Sequence, residues 1–277
     1  MKWKPVIRVN IITLWKIWKF FKKYFLRKKV QDRRYGYKKD AKDDRDYIYK
    51  PRKMIRELPL DTNRQNIDEF PHRYDQGNLG SCCAFGAVEA FRRVLQVNGQ
   101  PDWDPSPLFS YWTLRVDKNR DCGGQIRDAF KARNLYGLCA EKTWPYIIRK
   151  FKELPSQEAF IEGLEHQSIR YERIYPVTKE AIMEVIYQGF PIVFGADLFT
   201  SFESDWTKKT GIVSYPGKCD HFIGGHCMVI MDYTEQGVFI LNSWGKDWGV
   251  DGTGHMPWEY ILTEKWCNDF WVLYLSE

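Results

Sequence analysis

Gln76-Gly77-Asn78-Leu79-Gly80-Ser81-Cys82-Cys83-Ala84-Phe85 places a thiol at the first turn of an apolar helix. Ser81 is a suitable N-cap. After it Ala84, Phe85, Val88, Phe91 and Leu95 recur at three- and four-residue spacing, and Asn98-Gly99 supplies a stop, so the pattern predicts a buried helix over about 82–97. Unpaired backbone N–H groups give a helix N-terminus partial positive charge, which favours thiolate over thiol. Cys82 is therefore a candidate nucleophile, with Cys83 as its immediate competitor.

A nucleophilic thiol needs a base. Gly224-Gly225-His226-Cys227-Met228-Val229-Ile230-Met231-Asp232-Tyr233 reads as a strand, and Val238–Gly245 as a second. The gap Thr234-Glu235-Gln236-Gly237 is short enough for an antiparallel hairpin. Folding that hairpin brings His226 beside the Asn242 region, where an amide would hold the imidazole in one tautomer and one orientation. Trp244 is placed to shield that bond from water.

These residues resemble the papain-like cysteine peptidases. His226 lies 144 residues after Cys82, and Asn242 lies 16 further on, which matches the order in that family. Asn242-Ser243-Trp244-Gly245-Lys246-Asp247-Trp248-Gly249, with later Gly252 and Gly254, is similar to the block around the family's active-site asparagine. Trp144-Pro145-Tyr146 is similar to its central segment, and Gly123-Gly124 to its substrate-binding glycine pair. The likeness covers residues 56–277. It implies an α+β, two-lobed fold: a helical lobe over about 71–165 and an antiparallel, barrel-like lobe over about 166–277, with the cleft between them. It further implies endopeptidase activity on polypeptides, with Cys82 as nucleophile, His226 as general base and acid and Asn242 as the orienting amide. Gln76 and the Cys82 N–H would form the oxyanion hole. No metal or organic cofactor is implied, and a monomer is expected.

Departures from the family pattern are equally specific. Cys83 stands where the family usually has Trp, and the registry from Gln76 to Phe85 favours Cys82 as the nucleophile. Leu79 stands where many members have a cysteine, so the disulfide beside the active site is expected to be missing. The Met-Pro-Trp-Glu-Tyr segment 256–260 and the Asp-Phe-Trp segment 269–271 are similar to microbial and viral branches. Of the seven cysteines, Cys219 and Cys267 lie at positions resembling a disulfide pair of secreted members. The alternative is reduced, buried thiols, and no paired C-x-x-C or H-x-x-x-H spacing suggests zinc.

Residues 1–31 carry ten Lys and Arg with no acid, leaving the rest of the chain at about −4 of the overall +6. Leu14, Ile17, Trp18, Phe21, Tyr24 and Phe25 fall mostly on one helical face opposite Lys16, Lys19, Lys23 and Arg27, a basic amphipathic pattern suited to an anionic membrane surface. Lysines interrupt it too often for a bilayer span or a secretory signal. A packing arm or degenerate pro-segment, or a nucleic-acid contact, are the other readings of the same residues. Residues 32–55, with mixed charges, read as a solvated linker. Localisation stays open among cytoplasm, virion and membrane periphery.

Each candidate also has an ordinary explanation: a cysteine opening a buried helix is usually a small hydrophobe, and a histidine in a strand is usually core. Gln76 alone is a loop amide, and Asn242 alone an edge residue. Their order on these elements is what favours catalysis over an inactive scaffold with the same fold. A thioester-based transferase would use the same groups.

Overall fold

The computed structural model describes residues 35–51, 58–167 and 169–275. The basic arm, where the membrane and nucleic-acid expectations fall, lies outside the described residues. Five helices of eight residues or more are present among them: α1 (Cys82–Val97), α2 (Pro107–Leu114), α3 (Ile126–Tyr136), α4 (Gln157–Leu164) and α5 (Lys179–Tyr187). Six strands follow or interleave: β1 (Ile169–Arg173), β2 (Ile192–Phe199), β3 (Phe222–Tyr233), β4 (Gly237–Leu241), β5 (Thr253–Pro257) and β6 (Cys267–Leu275).

The strands form one antiparallel sheet in the order β1-β6-β2-β3-β4-β5. The second lobe was expected to be barrel-like, but the sheet is open: the order ends at β1 and β5, which do not pair with each other. Period-two alternation gives it two apolar faces. Val193, Cys227, Val229, Leu241, Trp271 and Leu273 pack with α1 and the other helices of the first half. Ile192, Phe194, Met228, Ile230, Ile240, Phe270 and Val272 pack with α5 and the tryptophans Trp244, Trp248 and Trp258.

Helix α1 lies on the first of these faces, with Cys82 through Leu95 all buried. Ser81 occupies the N-cap position but makes no capping bond; its hydroxyl is instead 2.6 Å from the Tyr146 hydroxyl. Magnitudes explain why the helix starts there anyway. A cap is worth about 1 kcal/mol, whereas burying one Phe or Leu side chain contributes about 1.5–3 kcal/mol, and α1 buries Phe85, Phe91 and Leu95. Gly86 on this helix faces β3 so closely that a Cβ there would lie 3.0 Å from Cys227 Sγ.

Two segments tie the halves together. The stretch before α1 pairs with the stretch after β4: Gln76 N donates to Ser243 O at 2.9 Å and Gly245 N donates to Tyr74 O at 2.7 Å. Residues 35–51, expected as part of a solvated linker, instead lie packed on the body, with Tyr37, Asp40 and Tyr49 buried. Part of the charge that suggested solvation is taken up by specific partners, while Lys38, Lys39, Lys42, Asp44 and Arg45 stay exposed. Asp46 pairs with Arg127 at 2.5 Å and with Arg173 at 3.4 Å, both carboxylate and guanidinium of the shorter pair being buried. Among the described residues no helix is long and apolar enough to cross a membrane.

Candidate active site

Cys82 stands at the first turn of α1, and His226 comes from β3 on the opposing half. Asn242 follows the last paired residue of β4, Leu241, so the hairpin itself delivers it to His226. His226 Nε2 and Asn242 Oδ1 are 2.8 Å apart, both residues being fully buried. An amide oxygen only accepts, so Nε2 carries the proton and the lone pair resides on Nδ1. Nδ1 has no well-formed hydrogen bond of its own. The Cys82 thiol is the neighbour that His226 acts upon, pulling its pKa down through hydrogen bonding and charge.

That pull is outweighed here. Burial, followed by the neighbouring Cys83, pushes the Cys82 pKa well above that of an ordinary thiol. The helix-terminus argument expected a shift toward thiolate; the closed cleft reverses it, because a thiolate without water loses more solvation than the helix terminus returns. Cys83, the competing thiol, donates to Gly124 O at 3.2 Å. Trp244 lies against the imidazole with ring centroids 4.9 Å apart, covering the His226–Asn242 contact.

Gln76 is fully buried next to this group. Its Nε2 donates to Leu79 O at 2.8 Å, and its Oε1 accepts from Ser243 Oγ at 2.7 Å, fixing the amide between both walls. Tyr146 belongs to the family-like segment Trp144-Pro145-Tyr146. It proves to tether this loop, donating to Gln76 O at 2.9 Å and meeting Ser81 Oγ. Asp121 adds a second tie to this loop. Its carboxylate accepts Gly80 N at 3.1 Å and the Tyr111 hydroxyl at 2.5 Å, joining the loop before Cys82 to the 121–124 segment without a covalent bridge. All seven cysteines are free thiols. The Cys219–Cys267 pairing is therefore not made: Cys267 is buried in the sheet while Cys219 is exposed.

Gly123 and Gly124 line the cleft and are already engaged. Gly124 N donates to Gly36 O at 2.8 Å and Lys38 N donates to Gly124 O at 3.0 Å, a parallel bridge centred on Tyr37. On the other side Tyr37 N donates to Gly225 O at 3.0 Å. The approach is close: a Cβ on Gly123 would fall 2.0 Å from Gly36 O, and one on Gly36 would fall 1.9 Å from Gly80 O. Tyr35 covers His226 and Trp244, with ring centroids 6.3 Å and 6.2 Å away. Residues 35–38 thus form a strap across the cleft, and Cys82 has no exposed surface beneath them.

The strap continues into a polar anchor. Tyr37 donates to Asp269 Oδ2 at 2.6 Å, Asp40 N donates to the same oxygen at 2.6 Å, and Arg173 Nη2 meets Asp269 Oδ1 at 2.6 Å. Asp40 Oδ2 accepts from Trp271 Nε1 at 2.8 Å. Burial, with the nearby Asp269 charge, pushes the Asp40 carboxyl up to about 7, against the pull of Trp271 and Arg127. A sequence signal for the strap existed in Tyr35-Gly36-Tyr37, two aromatics around a glycine inside a charged stretch. Among the described residues no group of three or more His, Cys, Asp or Glu is arranged to hold a metal ion.

Helices packed on an antiparallel sheet, with a cysteine on the first long helix and a histidine–asparagine pair on the sheet, define the architecture of papain-like proteases. The profile of the papain family cysteine proteases matches residues 60–264, and the chain belongs to that family. It is 35% identical over 271 residues to an uncharacterized peptidase C1-like protein of Acanthamoeba polyphaga mimivirus, covering 87% of this chain and 86% of that one. It is 27% identical over 217 residues to a cathepsin B of Dictyostelium discoideum, spanning 66% of that protein. Xylellain, a cysteine protease from Xylella fastidiosa, superposes with a TM-score of 0.79 at 30% identity, over 89% of this chain and 98% of that one. Membership of this family implies polypeptide substrates.

Proposed function

We propose that this chain is a cysteine endopeptidase that cuts through a Cys82 acyl-thioester. The observation that carries the reading is the His226 Nε2–Asn242 Oδ1 contact of 2.8 Å, which leaves the basic Nδ1 toward the Cys82 side of the cleft. His226 takes the thiol proton, and the thiolate attacks a peptide carbonyl. The oxyanion is held by the Cys82 N–H and the Gln76 amide. His226 then protonates the leaving amine, and water activated by the same imidazole hydrolyses the thioester. Gly123 and Gly124 offer backbone groups to an extended peptide, as they now do to Gly36 and Lys38. Substrate entry requires the strap to leave, because those backbone groups cannot serve both.

The test is hydrolysis of fluorogenic peptides by the full chain without added amine, alongside labelling by a thiol-directed epoxide. Cys82→Ala should abolish labelling and lower hydrolysis at least about a thousandfold. Hydrolysis that survives in Cys82→Ala, or labelling confined to Cys83, would remove the assignment. Turnover that appears only with an added amine acceptor would favour transfer over hydrolysis.

A further inference from the structure

The carboxylate of Asp121 grips the same peptide group that the Gln76 amide touches. Gly80 N donates to Asp121 Oδ1 at 3.1 Å and to Oδ2 at 3.2 Å. The other end of that peptide group, Leu79 O, accepts Gln76 Nε2 at 2.8 Å. Ser81 N, one residue before the nucleophile, donates to the same carbonyl at 2.8 Å. Position 80 carries no side chain where the carboxylate arrives: a Cβ there would lie 2.9 Å from Asp121 Oδ1. The carboxylate is itself held, because Oδ1 also accepts the Tyr111 hydroxyl at 2.5 Å. Tyr111 is fully buried, with the Arg115 guanidinium carbon 4.4 Å from its ring centroid. Burial, followed by the bond to Asp121, pushes the pKa of this phenol up, so it stays a donor.

We infer, building on the proposed peptidase function, that Asp121 is a positioning residue for the oxyanion hole, acting through the Leu79–Gly80 peptide group to orient the Gln76 amide. A trans peptide group is planar, with its N–H and C=O pointing in opposite directions, so a carboxylate fixed on the N–H fixes the direction of the carbonyl. A charged acceptor on the N–H also strengthens the bond made at the carbonyl, because hydrogen bonds in a chain polarise one another. Gln76 Nε2 carries two N–H bonds in one plane. Giving one to Leu79 O, while Oε1 accepts Ser243 Oγ at 2.7 Å, sets the direction of the other. An oxyanion donor acts only when aimed at the place the oxygen takes in the transition state, so a tilt of the 79–80 peptide reaches the reaction through Gln76. A disulfide at position 79 would restrain a side chain; Asp121 instead addresses the backbone dipole.

Two rates on the full chain test this: kcat/KM for a fluorogenic peptide, and alkylation of Cys82 by iodoacetamide, read by mass spectrometry. Alkylation needs the thiolate and an open cleft but develops no oxyanion, so the ratio of the two rates cancels changes in strap opening and thiol ionisation. Asp121→Ala should lower that ratio at least about tenfold, and Asp121→Asn, whose Oδ1 still accepts, should restore most of it. In a Gln76→Ala background, Asp121→Ala should change the ratio by less than about twofold, since no amide is left to orient. A fall of both rates together, or a loss that persists without the Gln76 amide, overturns the inference. Should Asp121→Ala not fold, Tyr111→Phe, which removes the phenol holding the carboxylate, goes through the same cycle: the ratio should drop about threefold with Gln76 present and not without it, and an unchanged ratio overturns the inference. A chain that is alkylated at Cys82 yet hydrolyses nothing loses the peptidase reading instead. The Gln76 side-chain amide, followed by NMR with labelled glutamine, then decides the positioning: its protons should exchange with water at least about tenfold faster in Asp121→Ala, and equal exchange overturns it.

Discussion

The strap and the walls it crosses are held by different forces. The walls are joined by apolar burial on both sides of one sheet, around α1 on one face and α5 with Trp244 and Trp248 on the other. The strap and the residues that follow it to Tyr49 bury few side chains and are retained by directed polar contacts: backbone bonds to Gly124, Gly225 and Arg173, and carboxylates that meet Arg127, Arg173 and Trp271. Apolar burial is non-directional and survives small displacements, whereas each polar contact competes with water as soon as it opens. The difference implies a framework that keeps Cys82, His226 and Asn242 in place while the strap comes and goes.

The largest effect should come from the framework. Gln76→Ala removes an amide whose role at an oxyanion is typically worth 10²–10³ in turnover, so kcat/KM should fall about a hundredfold or more. Amide protection at Tyr37 and Lys38, read by hydrogen exchange, should stay as it is. A parallel loss of that protection would make Gln76 a clamp between Leu79 and Ser243 and would blur the contrast.

Next comes the strap itself. Gly36→Val places a side chain where the Gly80 carbonyl already stands, and the strap is the part held by fewer contacts. Epoxide labelling of Cys82 should accelerate at least about tenfold, the equivalent of losing one net hydrogen-bonding contribution of about 1.4 kcal/mol. The melting temperature should move by only a few degrees. Unfolding of the variant would show that strap and framework are one cooperative unit, contrary to the comparison.

The smallest effect is a dependence on pH. Released, Asp40 is an ordinary carboxylate near 4; docked, it is pushed up to about 7. Between those values docking takes up a proton, so docking strengthens as pH falls through 7 and gains nothing further below about 4. Protection of the Tyr37 and Lys38 amides, corrected for intrinsic exchange, should be about tenfold greater at pH 6 than at pH 8. The groups facing Asp40 are Asp269, Arg127 and the Trp271 indole, with Asp46 and Arg173 beyond them. Protection that rises with pH would place the decisive titration on another member of this group.

Helix α1 and the hairpin were legible because their signals are local. Apolar spacing gave a helix over about 82–97, and the observed element is Cys82–Val97. The paired strands give Phe222–Tyr233 and Gly237–Leu241, with the histidine and asparagine in reach of each other across a short turn. The strap was not legible. Its residues read as solvated because their partners are remote: Asp46 meets Arg127 across 81 positions, and Asp40 meets Asp269 across 229. Ser81 was a reasonable cap, yet Tyr146, 65 positions away, claims its hydroxyl. A disulfide between Cys219 and Cys267 could be entertained from position alone, and only their different depths show why it is not made.

By itself the amino-acid order determined the family architecture and the identity of the residues that meet in the cleft, because periodicity and short turns act over neighbouring positions. Whether the cleft is open, how the Cys82 thiol titrates, and what Asp40, Asp46 and Asp269 do were decided only in three dimensions. Those properties depend on burial and charge pairing between segments that the chain brings together from its two ends.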